Sequence, residues 1–109
     1  MSENSNKDIS IIITLYKTPI KNIRLINQYK GYKVLIFHQA KSNNSKNKID
    51  NLLKFDFEYY SSKKNLGLSK STNFLLSKVK TKYCLFTQPD ITINNQAIKK
   101  LKKIIELKK

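Results

Sequence analysis

Tyr83-Cys84-Leu85-Phe86-Thr87-Gln88-Pro89-Asp90 is the stretch on which the reading of this chain turns. A run with good strand character, Tyr83 to Thr87, leads straight into Gln-Pro-Asp. Proline lacks the N–H that a sheet ladder needs, so it does not occupy a central strand. The strand is therefore predicted to stop near Thr87, leaving Asp90 just past its carboxyl end. In an open parallel α/β sheet, ligands bind in the crevice outside the carboxyl ends of the strands. A carboxylate placed there suits a metal ion or a ribose. An Asp after Pro also serves simply as a turn residue.

The same logic extends outward in both directions. Ser10 to Leu15 is an isoleucine-rich run without alternation, the pattern of a strand buried on both faces. Thr18-Pro19 reads as a helix start, with Thr as N-cap and Pro at the first helical position. Ile20, Ile23, Ile26 and Tyr29 then fall on one helical face, and Gly31 is a C-terminal stop. Val34 to Phe37 is a second buried strand leading into a polar loop, His38 to Asn44. Ser45 to Lys54 has a thin apolar face (Ile49, Leu52, Leu53) that suits a short helix, and Phe57 to Tyr60 suits a third strand.

Ser61 to Gly67 carries turn chemistry, and from Leu68 the helical period returns through Leu75, Leu76 and Val79. After the Tyr83 strand, Ile91 to Asn95 is a connector. Ala97, Ile98, Leu101, Ile104, Ile105 and Leu107 then form the apolar face of a final helix whose lysines face water. Met1 to Asp8 is polar and reads as a disordered tail, leaving residues 9–109 as a single domain. Strands alternating with helices predict an α/β fold: a mostly parallel sheet with flanking helices and right-handed crossovers.

Composition narrows the chemistry. The 109 residues carry a net charge of +15, almost all of it from lysine, with Arg24 the only arginine. Sequence-reading nucleic-acid modules favour Arg for bidentate contacts to guanine, and these lysines are spread along the chain, which argues against nucleic acid. An excess of Lys, Asn and Ile also arises from coding bias alone. The single cysteine, Cys84, cannot form an internal disulfide, and in an apolar strand it is expected to be a buried thiol. No stretch approaches the ~20 apolar residues of a membrane-spanning helix. The composition points to the cytoplasm.

His38 is the only histidine, so a Ser-His-Asp arrangement would depend wholly on it. No Cys/His cluster has zinc spacing. With only Gly31 and Gly67, the chain has neither a Gly-x-Gly-x-x-Gly fingerprint nor a Walker loop.

What remains are polar loops at the carboxyl ends of successive strands, which a parallel sheet gathers at one edge. They carry Thr14 and Tyr16, then His38 and Gln39, then Lys64, Asn65 and Gly67, then Asp90. Tyr16 offers a face on which a nucleobase can stack. Lys63 and Lys64 offer positive charge to a diphosphate, and Gly67 lets backbone approach a ligand. Asp90 offers a hard oxygen ligand to Mg²⁺ or Mn²⁺ bridging that diphosphate. Each also has a plain structural role open to it: a capping aromatic, solvated lysines, turn residues.

These residues carry a family resemblance. Ile9-Ser10-Ile11-Ile12-Ile13-Thr14-Leu15-Tyr16 resembles the opening strand of family 2 glycosyltransferases of the GT-A fold. Lys64-Asn65-Leu66-Gly67-Leu68-Ser69-Lys70-Ser71-Thr72-Asn73 is similar to their Asn-x-Gly loop and following helix, ending in the Asn often found there. Tyr83 to Ile93, then Ala97-Ile98, resembles the strand, Asp-bearing turn and next helix, and Gln-Pro-Asp is closest to the Asn-Pro-Asp of rhamnosyltransferase-like members. The resemblance implies a GT-A-like (Rossmann-like) half that binds a nucleotide-diphosphate sugar, for transfer of the sugar to an acceptor hydroxyl in glycan or cell-surface polysaccharide synthesis. It implies donor contacts from Thr14, Tyr16, His38, Lys64, Asn65, Gly67, Asn73 and Asp90, with Asp90 also the ligand of a weakly held Mg²⁺ or Mn²⁺.

In two respects the chain departs from that pattern. Where the family usually has Asp-Asn after the second strand, with the Asp contacting the base, this chain has His38-Gln39. The family fold also continues past the equivalent of Lys109 into an acceptor-binding half with the catalytic base. The domain is therefore expected to be truncated, with a second chain able to supply that half. Peripheral membrane contact is compatible with the charge. The alternative reading is a non-enzymatic basic binding module, either a degenerate nucleotide binder or a nucleic-acid-associated domain.

Overall fold

A computed structural model describes residues 8–41 and 45–89. The elements in chain order are β1 (Ile9–Leu15), α1 (Ile20–Leu25), a 3-10 turn (Ile26–Tyr29), β2 (Lys33–His38), α2 (Ser45–Leu52), β3 (Glu58–Ser61), α3 (Leu68–Lys78) and β4 (Tyr83–Thr87). The N-terminal tail, the connector from Ile91, the final helix and Asp90 lie outside the described residues. The four strands form one sheet in the order β3-β2-β1-β4, and every pairing is parallel.

The isoleucine run explains why β1 is central. Ile11, Ile12 and Ile13 are all completely buried, so both faces of this strand are covered. Burying a side chain of this size is worth about 1.5–3 kcal/mol, which makes β1 the natural spine of the sheet. On one face Ile9, Ile11, Ile13 and Leu15 pack with Ile23, Ile26 and Tyr29 of the first crossover and Ile49 of α2. On the other, Ile12, Leu35 and Phe37 pack against Leu75 of α3.

The two faces follow from the connections. Steps from β1 to β2 to β3 move outward in one direction with α1 and α2 on one face. The return from β3 to β4 crosses to the far side of β1 with α3 on the other. The strand order thus reverses at β1, and the crevice beyond the ends of β1 and β4 is a topological switch point.

Local chemistry departs from expectation in instructive places. Thr18 does not cap α1; its hydroxyl accepts the Tyr16 N–H at 3.2 Å, and Pro19 occupies the cap position. The Pro19 carbonyl accepts from Asn22 and Ile23 instead. The helix then tightens to a 3-10 turn before Gly31, whose φ of 100° fits only the left-handed region that glycine tolerates.

Cys84 is exposed, not buried. β4 alternates, with Cys84 and Phe86 exposed and Tyr83 and Leu85 turned toward the α1–α2 face, because α3 sits over β1 and β2 and not over β4. Atoms crowding the thiol still push its pKa up. Leu76 and Ile20, expected to face inward, are likewise open to water.

Candidate functional site

The carboxyl ends of β1 and β4 and the loop before α3 enclose a cleft of about 420 Å³. Thr14 comes from the penultimate position of β1 and Gln39 from the residue after β2. The Gln39 N–H donates to the Leu15 carbonyl at 2.8 Å, extending the parallel ladder and holding the side chain at the cleft. Thr87 ends β4, and the buried Tyr29 hydroxyl meets its Oγ1 at 3.1 Å. Burial pushes the Tyr29 phenol pKa up, so that contact stays a neutral hydrogen bond.

Two polar atoms in this cleft are left without partners. Thr14 Oγ1 and Gln39 Oε1 are both shut away from solvent and make no hydrogen bond. Gln39 as a whole is only 4% exposed. A buried polar atom without a partner costs about 1–3 kcal/mol. Thr72 Oγ1 on α3, outside the cleft, is a third such atom, so it is the place of the other two on cleft-lining residues that makes them candidates for a ligand.

The loop ahead of α3 is built by short-range hydrogen bonds. Asn65 Oδ1 accepts the Gly67 N–H at 3.0 Å, and the Gly67 carbonyl accepts both the N–H and the hydroxyl of Ser71. Gly67 has φ 89° and ψ 159°, a conformation essentially reserved for glycine. A methyl group there would meet nothing within 4 Å, so the glycine answers to backbone conformation and not to crowding. Together these contacts set the N-terminus of the 11-residue α3 at the cleft wall, where its unpaired N–H groups favour negative charge.

Tyr16, Leu68 and Phe86 line the opening and are substantially exposed. Lys17 also lines the cleft, with its ammonium 5.4 Å from the centre of the Tyr16 ring. Among the described residues lining the cleft, none is acidic.

Of the residues singled out from sequence, Thr14, Tyr16, Gln39, Asn65 and Gly67 share this cleft. His38 lines a separate cleft beside α1 and α2, with Nδ1 3.0 Å from the Tyr59 hydroxyl. Lys64 is exposed outside the lining, its carbonyl accepting from the Ser62 hydroxyl, and Asn73 is exposed along α3. Asp90 is outside the described residues; Pro89, its neighbour, lines the cleft.

The sequence model described as "Glycosyl transferase family 2" matches residues 10–108. The chain belongs to glycosyl transferase family 2. Among solved structures it is similar to "Crystal structure of S. aureus TarS 1-349", with a TM-score of 0.66 and 18% identity. That likeness covers 91% of this chain and 32% of the other, so the chain spans about a third of the length of the structure it matches. A search of curated proteins finds no match. The parallel sheet with flanking helices is the GT-A-like arrangement of that neighbour.

Gln39, which the sequence gathers at the sheet edge with His38 but the resemblance does not make a donor contact, is the member of that pair that lines the cleft. Successive side chains along a strand point to opposite faces. His38 turns toward α2, which leaves the next residue, Gln39, at the cleft. Thr87 and Gln88, just ahead of the Pro89-Asp90 turn, also line the cleft and are not among the sequence-derived contacts. The described lining offers hydroxyl, amide and backbone groups, which suit phosphate, ribose and base and do not by themselves hold a divalent ion. Among the described residues no cluster of His, Cys, Asp and Glu could hold a metal. No described helix is long and apolar enough to cross a membrane.

Proposed function

We propose that the switch-point cleft binds a nucleotide-diphosphate sugar and that the chain is the donor-binding half of a glycosyltransferase acting in glycan or cell-surface polysaccharide synthesis. The observation that carries this reading is the pair of unpartnered atoms, Thr14 Oγ1 and Gln39 Oε1, inside the cleft of a family 2 fold. A base stacked on Tyr16 would bring polar edges within reach of both. A Gln amide both donates and accepts, so it can pair with the adjacent N–H and carbonyl of a uracil or thymine edge. The diphosphate would then lie toward Gly67 and the N-terminus of α3, with Lys17 adding positive charge.

In the reaction this implies, the bond between the sugar's anomeric carbon and the diphosphate oxygen breaks. The acceptor hydroxyl oxygen bonds to that carbon, and its proton passes to a base outside the described residues. The chain's contribution is to fix the donor and stabilise negative charge on the departing diphosphate, since positioning alone is worth on the order of 7–11 kcal/mol. Asp90 is proposed to hold Mg²⁺ or Mn²⁺ jointly with the donor's phosphates. A second chain or segment would supply the acceptor side, and the cytoplasm is the proposed location.

Calorimetric titration of the chain with UDP and dTDP tests this. Saturable binding is expected, weakened about tenfold or more in Thr14→Val, which keeps shape and removes the hydroxyl. Equal binding by parent and variant would overturn the assignment. Steeply salt-dependent binding of DNA or RNA with no nucleotide binding would favour the basic-module reading.

A further inference from the structure

A second cleft, of about 640 Å³, opens on the α1–α2 side of the sheet and shares only the Lys17–Thr18 corner with the first. Its walls are apolar: Ile20 and Ile23 from α1, Ile49 and Leu52 from α2. Ile23 and Ile49 belong to the core, whereas Ile20 is 59% exposed and leaves a large apolar side chain in water. Among the described lining residues the charged side chains are Lys17 and Lys48, and no acidic residue joins them.

His38 lines the same space, with Nδ1 taken up by the Tyr59 hydroxyl. If that hydroxyl donates to Nδ1, Nε2 carries the proton and is a donor. Burial, then the charge of Lys41, lowers the imidazole pKa, which keeps the ring neutral at neutral pH. Asp50, whose charge acts on Tyr59, is paired with Lys46 at 3.0 Å.

We propose that this cleft binds a small amphiphile, its apolar chain against Ile20, Ile23, Ile49 and Leu52 and its single anionic head beside Lys17, Lys48 and His38. Apolar walls with a few convergent polar groups are the general form of a small-molecule site. The positive lining selects the sign of the head. The walls select a tail, because a bare anion would leave Ile20 exposed. This site does not rest on the donor reading, and its occupant should bind whether or not nucleotide does.

The single histidine gives a direct readout. The imidazole resonance of His38 is followed by NMR over a pH series with octyl phosphate or octanoate below their micelle concentrations, and with octanol and inorganic phosphate as half-ligands. Octyl phosphate is expected to shift the resonance saturably and raise the His38 pKa, because a nearby anion favours imidazolium. Octanoate distinguishes a carboxylate head from a phosphate. Ile20→Asp and Lys48→Glu should each weaken binding at least tenfold; both sites are exposed, and an acid in the first turn of α1 favours the helix. The proposal is overturned if neither amphiphile moves the His38 resonance, if inorganic phosphate or octanol alone matches them, or if both variants bind like the parent.

Discussion

Gln39→Met separates a ligand-binding amide from a structural one. Gln39 is 4% exposed and its Oε1 is buried without a partner. Leaving an acceptor in that state costs about 1–3 kcal/mol, whereas an apolar group of the same shape carries no such cost. Methionine has nearly the volume and the same unbranched reach, and its flexibility lets it follow the glutamine path. The backbone bond from Gln39 to the Leu15 carbonyl is untouched. The variant should therefore be as stable as the parent or more so, by up to about 1 kcal/mol, which for a domain this size raises Tm by ~4–8 °C. Nucleotide affinity should move the other way, falling tenfold or more, because a hydrogen bond in a dry site is worth about 1–3 kcal/mol. Thermal unfolding with and without excess UDP reads both effects: the bare Tm holds or rises, and the ligand-induced rise shrinks. A loss of more than about 1 kcal/mol in the unliganded variant would mean that the amide is structurally satisfied. An unchanged UDP effect would mean that the cleft is not where nucleotide binds.

Gly67→Ala should destabilise the chain by about 1–3 kcal/mol, measured by urea unfolding, since its cause is the positive φ and not lack of room. An unchanged midpoint would refute that cause. His38 has a folded-state pKa below its ordinary value of 6.5, so the unfolded chain binds the proton more readily. Stability is thus full above that value and declines as pH falls through it toward the folded pKa; His38→Gln should flatten this part of the profile. Metal binding should be poor alone and improve with UDP or dTDP, and Asp90→Ala should abolish that synergy while leaving Tm unchanged. Calorimetry that finds the synergy intact in Asp90→Ala would reduce Asp90 to a turn residue.

The sheet was legible because its signal is redundant. Ile11-Ile12-Ile13 and Val34 to Phe37 are apolar at consecutive positions, the pattern of a strand covered on both faces, and both are core strands here. Thr87 ends β4 as Pro89 requires. The misplaced features are those where a distant element decides. Nothing within Tyr83 to Thr87 says that α3 will lie over β1 and β2, so the exposure of Cys84 and Phe86 was not readable from the strand itself. The cap at Thr18 failed for a local reason: its hydroxyl had a nearer donor in the Tyr16 N–H.

The cleft was legible in part, and the division follows strand geometry. Thr14, Tyr16, Asn65 and Gly67 lie at chain positions whose place at the sheet edge follows from strand ends alone. Lys64 lies one position before Asn65 of the lining and Asn73 about one and a half helical turns past Leu68, where side-chain direction decides, and sequence does not give that direction. His38 and Gln39 are the clearest case. Alternation along a strand puts its last residue, His38, and the next, Gln39, on opposite faces, and the imidazole draws attention on chemical grounds. Yet the imidazole has a partner in Tyr59 and the amide oxygen has none. An unsatisfied acceptor on a cleft-lining residue, not reactivity, is what draws the donor site to Gln39. On that criterion the pair divides its work: Gln39 belongs to the switch-point cleft, and His38 looks into the apolar cleft on the other face.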